Sequence, residues 1–284
     1  MRTTIVQMCP GSDKAANIAQ AEQLCEAAVA EDRPDIIALP EVWTSLGGTR
    51  EASFANAETL PRPGSNESAG PAYSFLQTLA RKHRIHVHGG SIGEAAGGGK
   101  LANTTVVFDP AGEEIARYRK IHMFDITAPD GKEYKESATY TGGTEVVTYE
   151  ANGTKVGCAI CYDVRFPELF LKLRQAGAEL IFLPAAFTLQ TGKDHWETLI
   201  RARAIETQCW FAAPACWGPH TDAAGGERRS YGHSLVADPW GHTVAKVSDG
   251  VGFTTARIDH AVTARVRRDM PVLQHRVLEH RAPA

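Results

Sequence analysis

A nucleophile, a carboxylate and an ammonium group each stand directly after a short apolar run in this 284-residue chain. Cys161 follows "TKVGCAI", Glu41 follows "DIIALP" and Lys120 follows "EEIARYR". Runs of this length and composition read as strands. In open α/β sheets, ligands bind beyond the carboxyl ends of the strands, so three groups placed this way can converge on one cleft. A thiol, a base to take its proton and a cation to hold developing negative charge are the parts that attack on a carbonyl-type carbon requires.

Each residue also has a plainer reading. Free cysteine is among the most buried residue types, and Cys9, Cys25, Cys158, Cys209 and Cys216 read as core thiols. Cys161 differs because it sits in "GCAICYDVRFPEL", where an apolar strand gives way to a polar turn and then a helix near Pro167. An elbow of that kind brings backbone N–H donors close to the sulfur. Glu41 is either a solvated loop carboxylate or a partly buried one whose pKa rises towards a useful base value. Lys120, taken alone, is a surface cation. Arg165, four residues after Cys161, is a clamp for a substrate carboxylate or a surface charge.

Other chemistries fit less well. Cys158 and Cys161 form C-x-x-C, but residues three apart on a strand face opposite ways, and no second such pair completes a zinc site. A redox pair would predict a reversible disulfide. His86 and His88 share a strand face with no carboxylate at metal spacing, and read as packing residues. The chain has no phosphate-binding loop, G-x-S-x-G, H-E-x-x-H or G-x-G-x-x-G motif.

The elements that must position these groups repeat. "PDIIALPEVW" (34–43) resembles "AELIFLPAAF" (178–187), and "FDPAGEEIAR" (108–117) resembles "ADPWGHTVAK" (237–246). In the second pair Asp-Pro-x-Gly predicts a tight turn between strands. Each half reads as a strand (4–8; 155–160), a helix (13–31; 167–176), the Leu-Pro strand, a second helix (71–84; 194–207) and a strand pair. Alternating strands and helices predict an α/β fold, with two sheets face to face and helices outside: a four-layer αββα sandwich of two pseudo-symmetric halves. The same symmetry that places Glu41 after one Leu-Pro strand places Phe187 and Thr188 after the other, where they would line a pocket. No Pro/Gly/Ser linker divides the halves, so residues 1–284 read as one domain. "AAGGGK" (95–100) reads as a loop tip, and the tail (about 270–284) as a segment that could reach a partner subunit.

Composition narrows the class. Hydrophobic content of 43% with 22% charged residues suits a globular protein. A net charge of −3 gives no electrostatic reason to expect nucleic acid or an anionic membrane as partner. No apolar run approaches membrane-spanning length, and residues 1–13 lack the basic and apolar regions of a signal peptide. Six irregularly spaced cysteines do not read as a disulfide framework, so a cytoplasmic setting is expected.

Together "IALPEVW", "RYRKIHMFD" and "GCAICYDVRFPEL" resemble the base, lysine and nucleophile motifs of the nitrilase (carbon–nitrogen hydrolase) superfamily, over nearly the whole chain. The resemblance implies the αββα sandwich, no cofactor, and a homodimer or higher homo-oligomer. It also implies that Glu136, in "EYKESATY", orients Lys120 or the substrate. Further segments, "FTLQTGKDHWETLIRARAIETQCW", "SYGHSLVADPWG" and "MPVLQHR", resemble the branch of omega-amidases and deaminated glutathione amidases. The tail after Arg276, "VLEHRAPA", departs from that branch. The implied reaction is hydrolysis of a small carboxylate-bearing amide through a cysteine thioester, with Lys120 and the Tyr162 N–H stabilising the oxyanion. N-carbamoyl amidohydrolase and true nitrilase chemistry are the alternatives within the superfamily. A non-catalytic scaffold or a thiol redox protein are the alternatives outside it.

Overall fold

The computed structural model describes residues 1–277 apart from 63, 66, 129, 130, 132 and 222–224. The expected partner-reaching tail therefore lies outside the described residues from 278 onward.

The first half runs β1 (Arg2–Gln7), α1 (Lys14–Asp32), β2 (Ile36–Ala38), α2 (Arg50–Asn56), α3 (Pro71–His83), β3 (His86–His88), β4 (Ile92–Gly97), β5 (Lys100–Phe108) and β6 (Glu114–Arg119). A small hairpin, β7 (Asp125–Thr127) with β8 (Glu133–Lys135), and the short β9 (Tyr140–Thr141) follow. The second half runs β10 (Thr148–Ala151), β11 (Thr154–Cys158), α4 (Pro167–Gln175), β12 (Leu180–Phe182), α5 (Leu189–Thr207) and β13 (Trp210–Ala213). It continues with β14 (Trp217–Thr221), β15 (Glu227–Tyr231), β16 (Leu235–Ala237), β17 (Thr243–Lys246), β18 (Gly252–Arg257) and α6 (His260–Asp269).

The two halves fold alike. One sheet is ordered β18-β1-β2-β3-β5 with β6 beyond, and the other β10-β11-β12-β13-β16-β17. In each, three parallel strands are followed by an antiparallel pair and flanked by an antiparallel edge strand. The two Asp-Pro-x-Gly turns share one hydrogen-bond set: the glycine N–H donates to the aspartate carbonyl, and the aspartate side chain accepts from two further amides.

Strand alternation sorts the apolar side chains into layers. Ile5, Ile36, Ala38 and Val107 face the second sheet and join Leu180, Phe182 and Ala213 in one core. Val6, Ile37, Val106 and Phe108 face the other way, onto Ala21, Cys25 and Ala28 of α1 and Leu76 and Leu79 of α3. On the far side α4 and α5 cover the second sheet with Leu169, Phe170, Trp196 and Ile200. The result is the αββα sandwich.

Two elements depart from the sequence reading. Helix α5 begins at Leu189, not near 194, and so includes Gly192, which packs against the Tyr231 ring where a Cβ would not fit. Helix α2, absent from the reading, is capped by Thr49, whose side chain accepts from Ala52 N at 3.1 Å. The "AAGGGK" segment is the β4–β5 hairpin, with Gly97, Gly98 and Gly99 all at positive φ.

A buried carboxylate ties the sheets where the functional residues lie. Asp163, fully buried, accepts from Tyr118 Oη (2.6 Å), His122 N (3.1 Å), His122 Nδ1 (2.7 Å) and Ile160 N (2.9 Å). Tyr118 and His122 flank Lys120, and Ile160 precedes Cys161. Asp163→Ala leaves buried donors without an acceptor and is expected to cost about 3 kcal/mol or more of stability. A urea midpoint equal to that of wild type would show that the tie contributes nothing.

His88 sits between the sheets, fully buried, 4.6 Å from the Phe182 ring, with neither ring nitrogen hydrogen-bonded among the described residues. Burial pushes its pKa down to about 3. The unfolded chain, with an ordinary histidine pKa near 6.5, binds the extra proton between these values. The stability conferred by neutral His88 is thus complete above about pH 6.5 and is lost as pH falls towards 3. His88→Phe is expected to flatten stability against pH across that window, and an unaltered acid limb in urea titrations would refute it.

Candidate active site

The carboxyl ends of parallel strands from both sheets meet at one cavity of about 380 Å³. Glu41 arrives three residues beyond β2, Lys120 directly after β6, Cys161 three residues beyond β11, and Ala186, Phe187 and Thr188 just beyond β12. The loop carrying Glu41 presses onto Gly90, whose φ of +62° and missing side chain admit the carbonyls of Leu39 and Pro40.

Two strained residues aim the chemistry. Cys161 has φ +46° and opens a 3₁₀ turn, Cys161–Arg165. Val42, beside Glu41, has φ +40°, a conformation β-branched residues almost never adopt. The Cys161 N–H is bound to Pro184 O at 2.8 Å, whereas the Tyr162 N–H takes no backbone acceptor among the described residues.

At the cavity floor Lys120 is 2% exposed, Glu41 4% and Cys161 7%. Lys120 Nζ donates to Glu41 Oε1 at 3.0 Å and to Glu136 Oε1 and Oε2 at 2.9 and 2.8 Å. Asn103 Nδ2 donates to Glu41 Oε1 at 2.9 Å, and Ala186 N to Glu41 Oε2 at 2.8 Å. Glu136 is fixed in turn by Phe124 N at 2.6 Å. Burial by itself would push the Lys120 pKa down, but Glu136 and Glu41 hold it well above the ordinary lysine range. Burial pushes the Cys161 thiol well up, the Glu41 carboxylate adds to this, and Lys120 opposes it. Burial and the Glu41 carboxylate thus both favour the thiol form of Cys161. The arrangement can pass a proton from sulfur to carboxylate while an ammonium group stands ready for a developing anion.

Of the residues singled out from sequence, Glu41, Lys120, Glu136, Cys161, Tyr162, Phe187 and Thr188 line this cavity. Arg165 does not. A 3₁₀ turn has three residues per turn, so position 165 points about 120° away from position 161. Its guanidinium lies over the rings of Tyr162 (5.8 Å) and Phe187 (5.4 Å) and meets His195 Nδ1 at 3.4 Å. Cys158, the other half of the C-x-x-C, is a free thiol buried in the core between the sheets. Among the described residues no group of three His, Cys, Asp or Glu side chains could hold a metal ion, and no helix is long and apolar enough to cross a membrane.

Sequence reasoning missed several lining residues. Asn103 could have been found as an amide within the apolar strand "KLANTTVVF". The Gly47-Gly48-Thr49-Arg50 wall carried a helix-start signal at Thr49. Arg228, on β15, carried none.

Comparison with known proteins agrees with this geometry. The carbon-nitrogen hydrolase family model matches residues 2–268. The chain is 38% identical over 279 residues to a deaminated glutathione amidase of Synechocystis, covering 96% of each. Among solved structures it resembles Saccharomyces cerevisiae Nit3, a member of branch 10 of the nitrilase superfamily, with a TM-score of 0.85, 29% identity and 98% and 97% of the two chains covered. It also resembles the Caenorhabditis elegans NitFhit protein, with a TM-score of 0.83 and 35% identity, covering 97% of this chain and 65% of that longer one. With the sandwich and the motif-bearing residues in place, the chain belongs to the carbon–nitrogen hydrolase family of the nitrilase superfamily.

Proposed function

We propose that this enzyme hydrolyses deaminated glutathione to the acid and cysteinylglycine, or an omega-amide of a 2-oxo acid to the acid and ammonia, with Cys161 as nucleophile. The observation that carries the reading is the meeting of Cys161, Glu41 and Lys120 at one cavity floor, with both carboxylates bound to the single ammonium group. The substrate choice is supported by relatives that bear the name deaminated glutathione amidase.

Burial and a neighbouring carboxylate favour the thiol over the thiolate, so attack draws on the base. Glu41 takes the Cys161 proton as sulfur bonds to the amide carbon. Lys120 and the Tyr162 N–H hold the resulting oxyanion, both fixed before the reaction begins. Glu41 then gives the proton to the nitrogen, the C–N bond breaks, and the amine (cysteinylglycine or ammonia) leaves behind a thioester. Water, losing a proton to Glu41, adds to the thioester carbon. The C–S bond breaks, the thiol is reprotonated and the acid departs. Glu136 keeps Lys120 charged and pointed at the reacting carbonyl. Arg165 supports the wall by bracing the Tyr162 and Phe187 rings.

The reading extends to the whole chain acting as one domain, as a homo-oligomer in the cytoplasm. Six free cysteines support a reducing compartment.

Release of cysteinylglycine from deaminated glutathione, or of ammonia from 2-oxoglutaramate, is expected with wild type and not with Cys161→Ala. Release that survives Cys161→Ala would remove the nucleophile assignment, and absence of release with wild type would remove the substrate class. One oxyanion donor is worth about 3–4 kcal/mol of barrier, so Lys120→Ala should lower kcat by roughly a hundredfold or more. Retention of over a tenth of the wild-type rate would contradict the role of Lys120.

A further inference from the structure

The charges on the cavity wall are unevenly paired. Its charged lining residues are Glu41, Glu136, Lys120, Arg50, Lys135 and Arg228. Both carboxylates are engaged by Lys120 at the floor, so among the described residues the remaining charged lining groups are cations. Arg50 and Lys135 are exposed. Arg228 is half-buried, and its Nε is buried with no hydrogen-bond partner among the described residues.

Arg228 is nevertheless held in place. Its Nη2 donates to Ala186 O at 2.9 Å, and its guanidinium lies 5.7 Å from the Tyr134 ring centre. Its neighbour Arg229 pairs with Glu227, but among the described residues no carboxylate pairs with Arg228. The nearby His220 is bound to Pro10 O and Ser230 Oγ, and burial, with smaller help from Arg228, lowers its pKa to about 4. It is neutral at physiological pH and offers Arg228 no counter-charge. A planar, fixed, half-desolvated guanidinium facing an open cavity is a carboxylate receptor lacking its carboxylate.

Its placement relative to the chemistry is set by one residue. The Ala186 N–H serves Glu41 and its carbonyl serves Arg228. The guanidinium is thus joined to the base through a single residue, by hydrogen bonds of 2.9 Å on one side of Ala186 and 2.8 Å on the other.

The geometry points to Arg228 as the anchor for the substrate's carboxylate, so that the site takes amides whose acyl chain ends in an anion a few methylenes from the scissile carbonyl. This rests on the amidase reading and names the residue that holds the substrate's anion. Arg50 and Lys135 at the rim add a positive field that draws such substrates in.

The test is calorimetric titration of Cys161→Ala, which cannot turn over, with glutaramate and with its neutral methyl ester. With Arg228 intact, glutaramate is expected to bind at least tenfold more tightly than the ester. Adding Arg228→Gln should bring glutaramate down to the ester's affinity, and Arg228→Lys should restore part of the difference. The proposal is overturned if the intact protein shows no preference for the anion. It is equally overturned if the preference survives Arg228→Gln, or disappears instead with Arg165→Gln. A purely structural role for Arg228, acting through Ala186, would weaken both ligands alike, and so also overturns it. Turnover by wild type is measured separately. Charge-selective binding without ammonia release from any amide would sink the amidase reading and leave the anion site standing. Release from neutral amides without charge preference would do the reverse.

Discussion

Lys120 is an ammonium group almost wholly removed from water, and two carboxylates from different parts of the chain make that placement tolerable. Neither Glu41 nor Glu136 alone would offset the desolvation of all three groups, but together they surround Nζ at 2.8–3.0 Å. The cost of burying this cluster fixes the loops that deliver it. Glu41 comes from the end of β2, Glu136 from the short turn after β8, and Lys120 from the end of β6. Removing the cation would leave two buried carboxylates facing each other, so the ammonium group is as much a structural requirement as a chemical one.

The strain and the polar ties around this cluster follow from it. Cys161 and Val42 occupy positive-φ conformations that cost energy, and both adjoin groups whose direction matters. Asp163 gathers donors from the Lys120 strand and from the Cys161 elbow, so movement of one sheet relative to the other would break several buried hydrogen bonds at once. Ala186 links the halves again, its N–H on Glu41 and its carbonyl on Arg228. One peptide unit therefore relays the second half's geometry to the base.

The cavity divides by function as well as by depth. Its floor is a neutralising cluster where proton transfer can occur without bulk water, and its wall is cationic. A thiol pushed up by burial and by a neighbouring carboxylate keeps its proton until a substrate arrives. The outer cations favour anionic ligands at a distance where the floor's carboxylates are already compensated.

The sequence by itself determined the layers and the three motif residues. Alternating strand and helix patterns gave the α/β layers, and the repeated Leu-Pro and Asp-Pro-x-Gly segments declared two similar halves. Glu41, Lys120 and Cys161 were legible because each ends a strand, and strand ends are local features. Glu136 was reached only through family resemblance, since its pairing with Lys120 depends on a turn 16 residues away closing back over the sheet. What the tertiary structure decided was direction. A 3₁₀ turn in place of an α-helix carries Arg165 away from the cavity, and a late hairpin brings Arg228 to it. Neither can be read from spacing, because the positions depend on how elements remote in sequence pack, and a charged side chain on a short strand looks the same in sequence whichever way the hairpin folds.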